Sequence, residues 1–203
     1  EEIYRDIQPG EDARLIVEKM TNNSLTALRE TAELVNYETL KRAVDVLMDA
    51  EKIHFFGVGA SGIIAQDAQQ KFLRLNKATS AFSDIHNAAM YIANVEKKDV
   101  VFGISFSGET RETAKIMQLA KEKGATTISL TRYGKSTVAD SATINLFISA
   151  SREIPAPFRS GATSSRLAQL HMMDILFVSV VTAKYEEAVR YQDEIRKAIN
   201  AIQ

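Results

Sequence analysis

The sequence predicts a single α/β domain built on a five-stranded parallel sheet. Short apolar runs rich in branched residues alternate with helical patterns along the 203 residues. Two of these runs end in turns of glycine and hydroxyl side chains, and the three prolines fall outside the predicted strands and helices. Such alternation is typical of parallel sheets with helices on both faces. Ligands of these sheets bind at the carboxyl ends of the strands.

Composition excludes several classes of protein. The chain is 45% hydrophobic and 25% charged, with a formal net charge of −1, so it has no electrostatic footprint for nucleic acid or an anionic membrane. It contains no cysteine, which excludes disulfides and thiolate metal sites and is compatible with a cytosolic origin. No run approaches the roughly 20 apolar residues of a membrane span. Because the sequence begins with Glu1, we interpret it as a fragment.

Two helices are predicted before the first strand. The first begins at Asp12, and the second follows Asn36, which is a plausible N-cap. The residues predicted to share a buried face are Leu25, Leu28, Ala32 and Val35 in the first helix and Leu40, Ala43, Val44 and Leu47 in the second. A minimal sheet does not require these helices. They are expected either to cover a sheet edge or to build a subunit interface.

The remaining elements follow in alternation. The predicted strands are 53–58, 79–82, 100–104, 126–130 and 143–148. The predicted helices are 63–75, 87–95, 110–123, 136–140 and 163–185, with a final polar helix after them. The loop over 149–162 contains Pro155, Pro157 and Gly161 and is long enough to carry function.

Two turns are candidates for anion binding. The turn 57–62, Gly-Val-Gly-Ala-Ser-Gly, follows the first strand, and Ser105-Phe-Ser-Gly108 follows the third. Both precede a helix, whose first N–H groups have no backbone partner. Parallel strands place both turns at one edge of the sheet, where these N–H groups and the hydroxyls of Ser61, Ser105, Ser107 and Thr110 can hold a phosphate.

Other interpretations of the two turns remain open. Ser107 can simply cap the following helix. Gly57, Gly59 and Gly62 also form an imperfect dinucleotide-binding pattern, with Asp84 as the acidic residue at the end of the second strand. Two hydroxyl-rich turns suit a compact phosphate better than a dinucleotide, and neither turn has the Gly-Lys-Ser/Thr ending of a phosphate-binding P-loop. The sequence predicts no metal site and no cofactor.

The two serine turns resemble those of the sugar isomerase (SIS) domain. Ser136-Thr-Val-Ala-Asp140 is also similar to a segment of that family, although Thr137 replaces the usual proline. The resemblance covers about residues 40–185. It implies a flavodoxin-like three-layer αβα sandwich that binds phosphosugars and forms dimers or tetramers. It also implies that the phosphate is held by Ser61, Ser105, Ser107, Gly108 and Thr110.

Catalysis by an isomerase of this family requires a base, commonly Glu or His. By the resemblance, Arg166 stands where the isomerases carry a catalytic glutamate. A guanidinium stays protonated at neutral pH and is a poor base. His54 is expected inside a strand, His171 on the long helix, and His86 near the ligand edge of the sheet; only His86 is a candidate for contact with ligand. No convincing acid–base pair emerges from these residues.

The segment around the long loop carries basic residues instead. Arg152, Arg159 and Arg166 cluster there, either as solvated charges or as a site for a second anionic group such as a carboxylate. Ser165 and Arg166 open the long helix, and Gln169, one turn later, can hydrogen-bond a sugar hydroxyl or amide. With two residues of the first turn, the predicted sugar-binding residues are Gly59, Ala60, Ser165, Arg166 and Gln169.

The segment 151–170 resembles the effector domain of RpiR/MurR-type bacterial transcription regulators, which carry an N-terminal helix-turn-helix (HTH) domain before the SIS domain. This resemblance implies a cytoplasmic sensor whose ligand is a phosphosugar and whose contact with DNA is made by the other domain. Residues 1–10 are then the linker stub and residues 11–203 the phosphosugar-binding domain with its leading helices. N-acetylmuramic acid 6-phosphate is one candidate effector, and other hexose and aminosugar phosphates remain open. A stand-alone phosphosugar isomerase is the alternative.

Overall fold

A computed structural model describes residues 7–151 and 162–203 of the chain. The strands are β1 (Lys52–Gly57), β2 (Ala78–Phe82), β3 (Val100–Ile104), β4 (Thr126–Arg132) and β5 (Ile144–Ile148). The helices are α1 (Ala13–Glu33), α2 (Tyr37–Asp49), α3 (Ala60–Leu73), α4 (Ile85–Ile92), α5 (Arg111–Glu122), α6 (Thr137–Asp140), α7 (Ser164–Ala183) and α8 (Tyr185–Ile202). Most of the predicted linker and most of the predicted loop, including Arg152 and Arg159, lie outside the described residues.

The five strands form one parallel sheet in the order β2-β1-β3-β4-β5, which confirms the predicted fold class. The order reverses between β1 and β3, because β2 lies on one side of β1 and β3 on the other. Along β1 the side chains alternate: Phe55 packs in the core beneath α2, α3 and α7, whereas Phe56 packs in a second core beneath α4 and α5. Helices therefore cover both faces of the sheet.

The long helix α7 is part of the larger core. Met172, Met173 and Leu176 are buried against the sheet and the neighbouring helices. By length and apolar composition alone this helix would be able to cross a membrane. One side of α7 packs into the core, whereas Leu167 and Val178 on the helix are exposed.

The leading helices differ in how well the sequence predicted them. Asn36 caps α2, and its predicted face is largely buried. The predicted face of α1 is wrong: the helix buries a row of largely polar character, namely Lys19, Asn23, Ala27 and Thr31. Thr31 exchanges hydrogen bonds with the backbone of Ser149 just beyond β5, accepting from its N–H at 3.1 Å and donating to its C=O at 3.3 Å. This helix therefore contacts the edge strand of the sheet.

Two element boundaries differ from the prediction in ways that affect the site. α3 begins at Ala60 rather than at residue 63, so Ser61 lies in its first turn. α4 begins at Ile85, capped by Asp84, whose carboxylate accepts the N–H of Asn87 at 2.8 Å. The carboxylate of Asp84 is thus engaged as a helix cap, which does not favour the dinucleotide interpretation.

Candidate functional site

The first turn brings α3 directly onto the end of β1. A side chain at Gly57 would place its Cβ 2.5 Å from the carbonyl oxygen of Ser61, so only glycine permits this close approach. Gly59 has φ of +59° and occupies the N-cap position of α3. Ala60 is the first residue of the helix, and Ser61, 9% exposed, follows it. The N-terminus of α3 and the Ser61 hydroxyl consequently lie at the carboxyl edge of the sheet. The N–H groups of Ser61 and Gly62 donate to the carbonyls of Val58 and Gly59 within this turn.

The second turn is held in shape by its own hydroxyl groups. Ser105, 2% exposed, has its Oγ 2.8 Å from Thr110 Oγ1 and accepts the N–H of Gly108 at 3.2 Å. Gly108 has φ of +74°, and a Cβ there would overlap the side chain of Ser136. Val138, in α6, donates its N–H to the Gly108 carbonyl at 2.9 Å. The turn is therefore fixed from both sides.

The hydroxyl of Ser107 does not cap α5. It is half-buried and accepts the N–H of Glu109 within the turn, at 3.2 Å. Thr110 is the N-cap residue of α5, and its hydroxyl makes no cap hydrogen bond because it is directed to Ser105. The capping interpretation of Ser107 is thus wrong, and the first N–H groups of α5 receive no side-chain cap.

The two turns are neighbours across the sheet. Gly57 pairs with Ile104 in the β1–β3 ladder, and adjacent strands lie about 4.8 Å apart. The turns that follow these two residues open at the point where the strand order reverses, which is the usual ligand crevice of such sheets. The N-termini of α3 and α5 both face this edge, and their dipoles favour negative charge there.

The start of α7 joins the same edge. Gln169 donates from Nε2 to Ser61 Oγ at 3.2 Å, and both side chains are buried. Ser165, one turn earlier, is buried as well, and Arg166 is half-buried. Within the described part of the chain the Nε of Arg166 has no hydrogen-bond partner. Ser165, Arg166 and Gln169 thus lie on the helix that contacts the first serine turn through the Gln169–Ser61 hydrogen bond.

The carboxylate of the second turn is held by α6. Glu109 accepts the Thr137 hydroxyl at 2.5 Å and the Thr137 N–H at 3.3 Å. A proline at position 137 would lack both donors. This contact and the support of Gly108 by α6 were missed from the sequence, although the segment 136–140 itself was recognised as similar to the family.

The histidines do not form an acid–base constellation at this edge. His54 is buried in mid-strand, with Nδ1 2.6 Å from Ser80 Oγ. Burial lowers the pKa of His54, and the nearby Asp99 opposes this shift. His86 is exposed in the first turn of α4, and His171 is half-buried on α7. In residues 7–151 and 162–203, no group of three or more potential metal ligands occurs.

Comparison with known proteins relates this chain to a family of domains and to a class of regulators. Residues 46–179 match the SIS domain family. The chain is 48% identical over 199 residues to an HTH-type transcriptional regulator of Bacillus subtilis, YbbH, covering 98% of this chain and 70% of that protein.

Two solved structures are also similar. The NanR protein of Vibrio vulnificus in complex with ManNAc-6P has a TM-score of 0.85 and 27% identity, covering 97% of this chain and 71% of that one. The sugar isomerase domain of an RpiR transcription factor from Sphaerobacter thermophilus has a TM-score of 0.81 with 18% identity, covering 90% of this chain and 98% of that one. This second likeness concerns the fold.

Proposed function

Because the chain belongs to the SIS domain family, as found in RpiR-type HTH transcriptional regulators, we propose that it senses a phosphosugar and thereby controls DNA binding by an HTH domain. The observation that carries this proposal is the pair of hydroxyl-lined turns at the switch point of the sheet, joined to α7 by the Gln169–Ser61 hydrogen bond. Two helix N-termini and several hydroxyls favour a phosphate dianion without a lysine.

In this proposal the phosphate binds between the two turns. Its proposed ligands are the hydroxyls of Ser61, Ser105, Ser107 and Thr110, with Gly108 in the same turn, together with the first N–H groups of α5, which receive no side-chain cap. Ser105 and Thr110 already contact each other, so their hydroxyl oxygens are held close together before the ligand arrives. The hydroxyl that donates in this contact rotates its hydrogen toward the phosphate on binding. Such preorganisation reduces the entropy that binding must offset.

The sugar itself is expected to lie toward Gly59, Ala60 and the start of α7. Gln169 and Ser165 supply polar groups for its hydroxyl or amide substituents. Arg166 has an unpartnered Nε within the described residues and suits an acidic substituent. NanR was solved with ManNAc-6P, so N-acylated hexosamine 6-phosphates are the first candidates here, with N-acetylmuramic acid 6-phosphate as the acidic one.

We favour a sensor over an enzyme because the described site offers no evident base. Arg166 replaces the glutamate that the isomerases of this family use, and a guanidinium does not accept a proton at neutral pH. In the proposed full-length regulator, residues 1–10 link this domain to the HTH domain, and the protein acts in the cytoplasm. Ligand then shifts DNA binding through its different affinity for two conformations or subunit arrangements.

Thermal unfolding against a panel of sugar phosphates tests the proposal. The panel contains ManNAc-6P, N-acetylmuramic acid 6-phosphate and glucose 6-phosphate, with the unphosphorylated sugars and NAD as controls. Ligand at about 100 times its Kd stabilises the fold by about 2.7 kcal/mol, which raises Tm by roughly 5–10 °C for a chain of this size. A rise in Tm with NAD alone contradicts the proposed ligand class. So does the absence of any rise in Tm with every sugar phosphate of the panel. Turnover of a bound hexose phosphate supports the isomerase alternative.

A further inference from the structure

A cavity lies at the amino edge of the sheet, opposite the serine turns. Its volume is about 180 Å³. Its lining includes Ala50, Glu51, Asn76 and Lys77, which immediately precede β1 and β2. We call it the amino-edge cavity, because it lies where these parallel strands begin, whereas the serine turns lie where strands end.

The inner wall of the amino-edge cavity is apolar. It is formed by Ala50, Leu75, Val180 and Ala188, which are all buried, and by Met48, which is half-buried. A dry cavity of about 150 Å³ holds benzene, a molecule of six non-hydrogen atoms. The amino-edge cavity therefore has room for an organic molecule of about seven non-hydrogen atoms.

Two lysine ammonium groups also line the cavity. Lys77 donates to the carbonyl of Ala50 at 2.8 Å and to that of Met48, which leaves one of its three N–H donors without a partner among the described residues. The ammonium group of Lys184 makes no hydrogen bond and no ion pair within 4.0 Å in the part of the chain that the structure describes. Burial lowers the pKa of Lys77, and the charge of Lys184 lowers it further. An anion between the two ammonium groups would offset this repulsion.

The two carboxylates of the cavity already have partners. Glu51 forms an ion pair with Lys98 at 3.2 Å, and Glu187 accepts the hydroxyl of Tyr191 at 2.7 Å. Glu187 also affects the pKa of Lys77 less than Lys184 does. Because like charges repel, these carboxylates disfavour a ligand with two negative charges, such as a phosphate ester. A ligand with a single negative charge and an apolar body fits the cavity better.

We propose that the amino-edge cavity is a second ligand site, which binds a small monocarboxylate with an apolar tail, such as 3-methylbutanoate. The carboxylate accepts from Lys77 and Lys184, and the tail lies against Leu75 and Val180. This site is additional to the phosphosugar site proposed above and does not depend on it.

An NMR titration of the nitrogen-15-labelled chain tests the site. We expect 3-methylbutanoate to bind with a Kd of about 1 mM or tighter and to shift chiefly the amide signals of residues 50–51, 75–77 and 184–188. The cation 3-methylbutylamine and the neutral 3-methylbutanol carry the same branched tail. Both should bind more weakly by roughly tenfold or more, because they cannot form the charge-assisted hydrogen bonds of a carboxylate. Acetate, which lacks the tail, should also bind more weakly.

Variants of single residues locate the binding. Lys184→Gln, at an exposed position, should weaken 3-methylbutanoate by roughly threefold to tenfold. Lys197→Gln is the matched control, because Lys197 is an exposed lysine of α8 that does not line the cavity, and it should leave the affinity unchanged. Ala188→Leu should fill the cavity and abolish binding, and its Tm shows whether this variant is folded.

Ser105→Ala separates this proposal from the phosphosugar proposal. Because Ser105 lies at the opposite edge of the sheet, its loss should leave the affinity for 3-methylbutanoate unchanged. The absence of amide shifts at about 20 mM 3-methylbutanoate, or equal binding of the amine and the alcohol, would overturn the monocarboxylate site. Weaker binding in Ser105→Ala together with unchanged binding in Lys184→Gln would also overturn it, since the carboxylate would then lie at the serine turns.

Discussion

Replacing Ser105 with alanine should separate ligand binding from stability. The Ser105 hydroxyl is buried, contacts Thr110 Oγ1 at 2.8 Å and accepts the Gly108 N–H at 3.2 Å. That N–H also reaches the Ser105 carbonyl at 3.2 Å, so it keeps a partner in the variant. The cost to folding is consequently limited to about 1 kcal/mol, or a fall in Tm of about 2–4 °C.

The loss in ligand affinity should be larger than the loss in stability. A hydrogen bond to a charged group contributes roughly 1.5–3 kcal/mol, so Ser105→Ala should raise the Kd for a sugar phosphate about 10- to 150-fold. Isothermal titration calorimetry with the panel member that gives the largest thermal shift measures this change. A bulky or acidic replacement at the same position should abolish binding.

Ser129→Ala is the matched control. Ser129 lies within β4, is fully buried and donates to Asn145 Oδ1 at 2.6 Å, so its loss also removes a buried hydroxyl and one hydrogen bond. It should affect Tm but not affinity. Unchanged affinity in Ser105→Ala, or an equal loss in Ser129→Ala, would refute the placement of the phosphate at this turn.

Three further predictions concern other residues. Gly108→Ala should lower Tm by several degrees more than Gly10→Ala, because both glycines have positive φ but only at Gly108 would the new Cβ meet a neighbour; equal effects would contradict the tight contact of that turn with α6. Since burial lowers the pKa of His54, its neutral form favours the fold, so stability should fall as pH drops below the ordinary value of about 6.5. Urea titrations of wild type and His54→Gln should differ in this pH dependence, and parallel curves would exclude His54 as its source. Arg166→Gln should weaken N-acetylmuramic acid 6-phosphate by about tenfold and ManNAc-6P by much less; equal losses would argue against a carboxylate at Arg166.

The sequence predicted the sheet well because its signals are local. Each strand is a short apolar run, and the position of β3 at Val100–Ile104 agrees with the prediction at both ends. Parallel alternation alone was enough to place Ser61 and Ser105 at one edge of the sheet. The helix beginning at Ser164 was also expected to contribute to the site, and the Gln169–Ser61 contact shows that it reaches the first turn.

Features that depend on distant contacts were not predictable from local patterns. The apolar pattern of α3 begins at residue 63, but the close approach permitted at Gly57 allows the helix to start at Ala60. The side chain of Glu109 is directed by a donor 28 residues away, Thr137. Local sequence patterns do not indicate which residues so far apart in the chain will contact each other.

The sequence by itself determined the alternation of elements, the parallel sheet and the two serine turns at its carboxyl edge, because hydrophobic periodicity and turn chemistry act over a few neighbouring residues. Only the tertiary structure decided which face of α1 is buried. Periodicity favoured burial of the face containing Leu25, yet the helix turns Thr31 inward. There its hydroxyl hydrogen-bonds the backbone C=O and N–H of Ser149, 118 residues away. A buried polar group requires a partner, and only the folded chain brings that partner into reach.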